Sequence, residues 1–545
     1  MERPILKNKL YLYLTEFFAG VSVMAVELGA SRLLAPYFSS SQIVWTIIIG
    51  TIMIAMALGN LYGGRSADKN PDPDRLYARI LVAAIWIAAI PVVGKYVIIG
   101  VAGLIIFTVN SNYLVIAGFV TCMLVFVFPL FLLGTVTPSL VKYSVDSLDE
   151  SGSTVGKLGA FNTIGSIIGT FVPTFISIPA VGTSVTFLIF AGILLLIAVI
   201  YFVSAKLPIS KIKKVPVSIV LFLICCILGH DASFAFWQDD LTYEGESVYN
   251  YLQVYESPDE VVLSTNVLFG VQSVYRKDVS LTGMYYDYAM AAPFMADLDD
   301  VSDADMLILG MGTGTFATQC RRYLNTANIT GVEIDDKITE LADRYFELPK
   351  DIPVTTYDGR AYLNAVDDKY DVIMVDAYQD ITIPFQMSSV EFFSLVKDHL
   401  NPGGVMVVNM NMRGSSEGSI NDYLADTISS VFSEVYTVDV AGSTNRELFA
   451  SDDPYMKDKL MDNVRRNISI RNSSAENVPD TEKRLADLEN MMEKVDSRLL
   501  RYEPGNRLLT DDKAPVELLG MRVIDEIIRD ELNGIDSIDD IMNML

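Results

Sequence analysis

The sequence predicts two fold classes in one chain: a multi-pass α-helical membrane unit up to about residue 236, then a doubly wound α/β unit led by a small β-sheet. Three observations carry this. Apolar runs of the length a bilayer demands, about 20 residues, recur through the first 236 positions. Charge changes sign at the same point: 15 Lys and Arg face 10 Asp and Glu up to residue 236, and 26 face 57 beyond it. After Trp237 short alternating strands take over, and a glycine-rich turn joins a buried strand to a helix. The expected divisions are a transmembrane unit over 1–236, a small β-sheet over 237–295, a nucleoside-binding α/β unit over 296–450 and a helical extension over 451–545.

The membrane half is read from hydropathy. At 51% hydrophobic, with a mean hydropathy of +0.34, the 545-residue chain is too apolar for an ordinary soluble protein, and the excess is all N-terminal. About seven spans are expected, at 10–33, 44–62, 80–106, 114–133, 158–178, 185–203 and 217–236, the third broken near Pro91 and Lys95 into a span and an interfacial helix. The first run is too long for a cleavable signal. Basic residues cluster before the first span (Arg3, Lys7, Lys9), after the second (Arg65, Lys69, Arg75, Arg79), after the fourth (Lys142, Lys157) and after the sixth (Lys206, Lys211, Lys213, Lys214). The positive-inside rule therefore places the N-terminus in the cytoplasm of a multi-pass cell-membrane protein; an odd number of spans would put the acidic half outside, away from a cytosolic cofactor, so the side of that half stays open. Glu16, Glu27, Arg32 and Lys95 lie in or beside apolar runs, where a charge is costly unless paired, so structural pairing competes with a cation path. Gly159, Gly165 and Gly169 are expected to let helices pack closely.

Composition excludes several chemistries. A net charge of −26 repels phosphate backbones, so nucleic acid is not an expected partner. The four cysteines, Cys122, Cys225, Cys226 and Cys320, have no paired metal-ligand spacing, and neither zinc nor a disulfide framework is expected. Only His230 and His399 are present, so proton transfer falls to carboxylates or tyrosines.

The α/β half carries the chemistry. Strands at 252–256, 261–264 and 271–276 form the small sheet, with a turn at Ser257-Pro258-Asp259. A buried strand at 306–309 leads into Gly310-Met311-Gly312-Thr313-Gly314 and a helix over 316–324, a turn that lets backbone approach a nucleoside. The second strand, 329–334, carries Glu333 about twenty residues past the first glycines, where an acid in doubly wound folds accepts both ribose hydroxyls. A third strand, 354–357, ends in Asp358-Gly359, suited to an adenine amino group, and a fourth, 370–375, ends in Asp376 with Asp380 shortly after. Acids thus recur at successive strand C-terminal ends, where ligands bind in open α/β sheets. Each acid alone reads more readily as a helix cap or a solvated loop acid, and only their joint recurrence favours a site.

The order glycine loop, Val332-Glu333-Ile334-Asp335, Asp358-Gly359, then Tyr370-Asp371-Val372-Ile373-Met374-Val375-Asp376 resembles the spermidine synthase (polyamine aminopropyltransferase) family, in its membrane-fused bacterial branch. The likeness extends to Ser247-Val248-Tyr249-Asn250-Tyr251-Leu252-Gln253-Val254, to Met284-Tyr285-Tyr286-Asp287-Tyr288 and to Ser388-Ser389-Val390-Glu391-Phe392-Phe393. Glu27 to Tyr37 and Leu509 to Glu517 resemble the fused branch as well. The resemblance implies a Rossmann-type, methyltransferase-like sheet of seven strands. It also implies aminopropyl transfer from decarboxylated S-adenosylmethionine, a co-substrate and not a tightly bound cofactor, to putrescine or another cationic amine. Asp376 would then be the general base. Tyr285, Tyr286, Asp287 and Asp380 would hold the amine, while Asn250, Gly310, Gly312, Thr313, Gly314, Glu333, Asp358 and Gly359 would hold the donor. Partners implied are the amine, the lipid bilayer and a second copy of the chain.

The chain departs from the family pattern at Thr313, where the loop normally carries an acid, and at Asn250, Tyr286 and Asp287. A methyltransferase using ordinary S-adenosylmethionine, and a membrane sensor or transporter that binds a polyamine or nucleoside without turnover, remain alternatives at this point. Beyond Ser451 the chain turns polar: 483–500 is periodic enough for an exposed helix, Thr510-Asp511-Asp512 is placed at the pocket rim, and Ser537-Ile538-Asp539-Asp540 begins a last helix.

Overall fold

The computed structural model describes residues 4–38, 40–109, 111–144, 151–204, 213–230, 233–238, 240–267, 271–278, 280–326, 328–377, 383–411, 414, 416–474 and 481–533. The chain divides into two compact units, Met1–Asp239 and Asp240–Leu545.

The first unit is helical. Its rods are α1 (Lys9–Phe38), α2 (Gln42–Lys69), α3 (Pro73–Thr108), α4 (Tyr113–Val125), α5 (Val127–Gly134), α6 (Val136–Ser144), α7 (Ser151–Val172), α8 (Ile178–Ser204) and α9 (Lys214–Gly229). Among the described residues five helical stretches are long and apolar enough to cross a membrane, while Tyr113–Val125 and Lys214–Gly229 are shorter apolar helices. One of the five, Ser151–Ser204, runs for 54 residues. At about 1.5 Å per residue that is more than twice a bilayer core of about 30 Å. It changes course at a π-turn over Pro173–Ser177 and at Gly182, whose φ of 78° leaves the helical region. The break expected near Pro91 is absent: α3 is one helix of 36 residues with Pro91 inside it. A proline removes a single intrahelical bond, and the buried neighbours Ile87, Ala88 and Ile90 hold the rod together.

Close packing and buried polar pairs organise this unit. A Cβ on Gly165 would stand 2.1 Å from the Phe17 carbonyl oxygen and one on Gly169 2.3 Å from that of Val21, so α7 rests on the backbone of α1, whereas Gly159 faces open space. Glu16, fully buried on α1, accepts from the Thr137 hydroxyl at 2.5 Å and the Asn162 amide at 2.8 Å. Lys95 donates to the Ser233 carbonyl at 2.8 Å, and its ammonium lies 5.0 Å from the Phe236 ring centroid. These contacts offset part of the cost of burying charge, although Glu16 Oε2 is buried without a hydrogen-bond partner among the described residues.

The second unit opens with an antiparallel sheet in sequential order: β1 (Leu241–Glu246), β2 (Tyr251–Glu256), β3 (Glu260–Ser264) and β4 (Ser273–Arg276). The sequence pattern does not announce β1, whose burial is intermediate and whose apolar alternation is weak. Two short helices follow, α10 (Tyr285–Ala289) and α11 (Ala291–Met295).

The large sheet then builds from β5 (Asp305–Leu309), α12 (Thr315–Gln319), β6 (Asn328–Glu333), α13 (Asp336–Tyr345), β7 (Val354–Thr356), α14 (Gly359–Leu363), β8 (Tyr370–Val375), α15 (Val390–Asp398), β9 (Leu400–Met410), α16 (Ile420–Ser429), β10 (Glu434–Asp439) and β11 (Arg446–Ser451). The helical extension is α17 (Met456–Ser474) and α18 (Thr481–Asp496), followed by β12 (Leu500–Arg501) and α19 (Val516–Asn533). Strand order is β12-β10-β11-β9-β8-β5-β6-β7: parallel from β9 to β7, antiparallel from β12 to β9. Eight strands are present where seven were expected, because Arg501 and Leu500 pair with Tyr436 and Thr437 at the edge. The order reverses between β5 and β8, and a crevice at that reversal is where this topology binds ligands.

Two expectations change here. The helix expected over 316–324 is α12 followed by a π-turn at Cys320–Leu324. The extension expected to be solvated is not: Met456, Leu460, Val464, Leu488, Met492 and Val495 are fully buried in one core with Met306 of β5 and Met374 of β8. Its apolar residues recur at helical spacing inside a charged composition, so one face packs while the other is wetted. The helix start proposed at Ser537 lies outside the described residues.

Candidate active site at the strand tips

Sheet register brings five residues into one row. Leu309 of β5 pairs with Val332 and Val375, Val375 pairs with Val408, and Asn409 of β9 pairs with Glu447 of β11. One step past these pairs, Glu333, Gly310, Asp376, Asn409 and Glu447 lie side by side on β6, β5, β8, β9 and β11. Backbone bonds fix the middle of the row: the Gly310 amide donates to the Val332 carbonyl and the Asp376 amide to that of Leu309, both at 2.9 Å.

Gly310 has no alternative. Its φ is 85°, and a Cβ there would stand 2.6 Å from the Asp376 carbonyl oxygen, so any side chain would force β5 and β8 apart. Gly314, at φ 77°, turns the chain into α12 and would clash with Leu348. Gly312, at φ 55°, is roomier, since a Cβ there would meet only the Ser273 hydroxyl, at 3.5 Å. Its amide donates to Glu333 Oε2 at 2.8 Å, while Glu333 Oε1 accepts from the Asp335 amide at 3.0 Å. Glu333 therefore ties the glycine loop to its own strand tip. Burial pushes its carboxyl above the ordinary range, opposed by these amide donors. Thr313 is buried, its hydroxyl 3.3 Å from that of Thr315, and it brings no charge to the loop.

Asp376 is anchored through both carboxyl oxygens. Its Oδ2 accepts from the Tyr285 hydroxyl at 2.6 Å and its Oδ1 from the Asn409 amide at 2.9 Å. It is recessed among protein atoms yet still partly exposed. Burial raises its carboxyl to about 7, the two hydrogen bonds offset part of that, and the charge of Glu333 adds to it. An acid at that value holds or gives up a proton near neutrality, which suits a general base. Tyr286 lies beside Tyr285 with ring centroids 4.0 Å apart and ring planes tilted by 43°, and it donates to the Gln272 carbonyl at 2.8 Å. Burial holds both phenols protonated.

The remaining expected residues fall into place unevenly. Asn250 donates from its side-chain amide to Asp335 Oδ2 at 2.9 Å, and Ser247 donates to the same oxygen at 2.5 Å, so Asn250 steadies the loop after Glu333. Asp358 caps α14 by accepting from the Ala361 amide at 2.8 Å, with Gly359 packed under Met387. Asp287, expected to hold the amine, uses one carboxyl oxygen in the protein, while its Oδ1 is buried without a hydrogen-bond partner among the described residues. Its Oδ2 accepts from the Gly283 amide at 2.6 Å and the Thr282 hydroxyl at 3.1 Å, closing the turn before α10, and the charge that acts on it is Lys494 of α18. Asp380 lies outside the described residues. Asp511 pairs with both Arg360 guanidinium nitrogens at 2.7 Å and accepts from Ser389, joining the chain after β12 to the segments that follow Asp358. His399 takes no part: its ring nitrogens lie at the Leu395 and Val366 carbonyls.

Sequence reasoning missed Asn409 and Glu447. Asn409 stands out as a polar residue after an apolar run, Val405-Met406-Val407-Val408, which was the available signal, whereas Glu447 follows Thr444-Asn445-Arg446 and carries none.

Fold and site together define a class: a doubly wound nucleoside-type α/β unit whose ligand crevice is lined by acids and tyrosines. The family described as the spermine/spermidine synthase domain matches residues 288–441. A probable polyamine aminopropyl transferase of Bifidobacterium longum is 55% identical over 338 residues, which cover 61% of this chain and 73% of that protein. A polyamine aminopropyltransferase of Vibrio vulnificus is 26% identical over 243 residues, 43% of this chain and 79% of that protein. The crystal structure of a probable spermidine synthase from Corynebacterium glutamicum superimposes with a TM-score of 0.35 at 18% identity, covering 49% of this chain and 98% of that one. The chain belongs to the spermidine synthase, or polyamine aminopropyltransferase, family.

Proposed function

We infer that the second unit is a transferase that moves an aminopropyl group from decarboxylated S-adenosylmethionine to a diamine of the putrescine type. The amine nitrogen attacks the aminopropyl carbon bonded to sulfur, that carbon–sulfur bond breaks with its electron pair going to sulfur, and methylthioadenosine leaves. The proton lost by the amine passes to Asp376. The observation that carries this reading is Asp376 itself: an acid held by Tyr285 and Asn409 at the reversal of strand order, with its carboxyl near neutrality.

The other residues divide between donor and acceptor. Glu333 is suited to the ribose hydroxyls, and Asp358, whose Oδ1 is used by the α14 cap, is suited to offer its second oxygen to the adenine amino group. Gly310, Gly312 and Gly314 let backbone lie close to the nucleoside, and Asn250 steadies the Glu333 loop through Asp335. Tyr285, Tyr286 and Asp380 are assigned to the amine. The low polarity around Asp376 strengthens its hold on an ammonium and raises its basicity together.

Incubating the purified protein with each donor and a panel of amines tests this. Methylthioadenosine is expected from the decarboxylated donor, and methyl transfer from the ordinary one or binding without turnover would refute the reading. Asp376→Asn keeps the shape and removes the base, so kcat should fall about 10²–10⁴-fold while donor binding persists. Near-normal turnover would remove Asp376 from the role.

A further inference from the structure

Glu447 is the one member of the strand-tip row without a task. It is fully buried, and both carboxyl oxygens lack a hydrogen-bond partner, where a buried acid ordinarily has several. Register fixes where it points. Asn409 and Glu447 are directly opposed across an antiparallel pair, so their side chains share a face, and the Asn409 amide reaches Asp376 on that same face. The Asn409 carbonyl oxygen accepts from the Asn445 amide at 2.8 Å, so the residue between the two acids is held at both ends. Helix α10 flanks the row, with Tyr285 bonded to Asp376 and the Tyr288 hydroxyl accepting from the Ala441 amide just past β10.

We propose that Glu447 is the distal ammonium site of the acceptor pocket, so that a short diamine lies along the row with its reacting nitrogen at Asp376 and its far nitrogen at Glu447. The proposal rests on the aminopropyl-transfer reading for the direction of the amine. Two strand intervals separate the acids, about 10 Å between backbones, a span that a diamine with a charge at each end can bridge. An amine with one nitrogen gains nothing at Glu447, so the residue selects dications by rewarding only an acceptor whose second ammonium supplies its counter-charge. Burial, and then the charge of Asp376, push the Glu447 carboxyl well above the ordinary range, as for an acid awaiting a counter-charge.

The test compares wild type, Glu447→Gln and Glu447→Asp as full-length protein in detergent, with 1,4-diaminobutane and butylamine as acceptors and saturating donor. Glu447→Gln should raise KM for the diamine about tenfold or more, leaving kcat, the donor KM and butylamine kcat/KM close to wild type. Glu447→Asp keeps the charge with a shorter reach and should fall between. Equal losses with both amines, a shifted donor KM or an unchanged diamine KM would overturn the proposal. Calorimetric titration of each protein with each amine separates this from failure of the transferase reading. Without any turnover in wild type, selective loss of diamine affinity in Glu447→Gln still supports the distal site, and equal affinity overturns it. If Glu447→Gln does not fold, the same readings on Glu447→Asp decide: a diamine-specific loss supports the site, and wild-type or uniform behaviour overturns it.

Discussion

At the scale of residues, the site works by withholding water from acids. Asp376 keeps its proton up to about pH 7 because burial penalises its charge more than Tyr285 and Asn409 stabilise it. The sign for catalysis follows directly. Only the ionised carboxylate can take the amine's proton, so kcat/KM for the amine should rise with pH and level off above about 7. Tyr285→Phe removes a donor that favours the ionised form, so its acid limb should move to higher pH. A pH–rate series on the two proteins checks this, and an unshifted or lowered limb in Tyr285→Phe would contradict the assignment. Asp287, by contrast, has a carboxyl that burial raises to about 6 and commits Oδ2 to the Gly283 turn that starts α10, leaving Oδ1 without a partner among the described residues. Motif position alone did not separate these two aspartates, because the difference lies in what each carboxylate accepts from.

At the scale of elements, the site depends on pieces distant in sequence from its motifs. The α17–α18 hairpin follows the last long strand of the sheet, yet Leu460 and Leu488 are fully buried in the core that backs β5 and β8. Leu460→Ala should therefore destabilise the second unit by about 2–5 kcal/mol, the usual cost of emptying a leucine site that cannot collapse. Denaturant unfolding measures this, and a change below about 0.5 kcal/mol, as at exposed positions, would return the hairpin to the surface. The glycine loop, β6, β8 and their acids were readable because each pairs a local apolar run with a turn of fixed chemistry. Strands β1 and β12 were not, the first because its apolar alternation is weak and the second because it is two residues long. The apolar stripe of α17 and α18 was hidden by the charged residues between its steps.

At the scale of the whole molecule, two units of opposite charge balance share one chain, 15 basic against 10 acidic residues before 237 and 26 against 57 after it. Each has its own core: glycine-packed helices in Met1–Asp239, and the eight-stranded sheet with its flanking helices in Asp240–Leu545. A fragment beginning at Asp240 should fold without detergent and bind the donor with near full-length affinity, since its core draws on its own residues. Sedimentation and a cooperative thermal transition check the folding, and a fragment that aggregates or melts without cooperativity would show that the units need each other. By itself the sequence determined the α/β fold of the second half, the recurrence of long apolar helices in the first and the acids at the strand tips, because these follow from periodicity and spacing within a few tens of residues. Only the tertiary structure decided that Asn409 and Glu447 join Asp376 in one row, that Asp287 turns to Gly283 and that the polar extension is core. Those outcomes depend on register between strands and helices remote in the chain, and no local pattern encodes register.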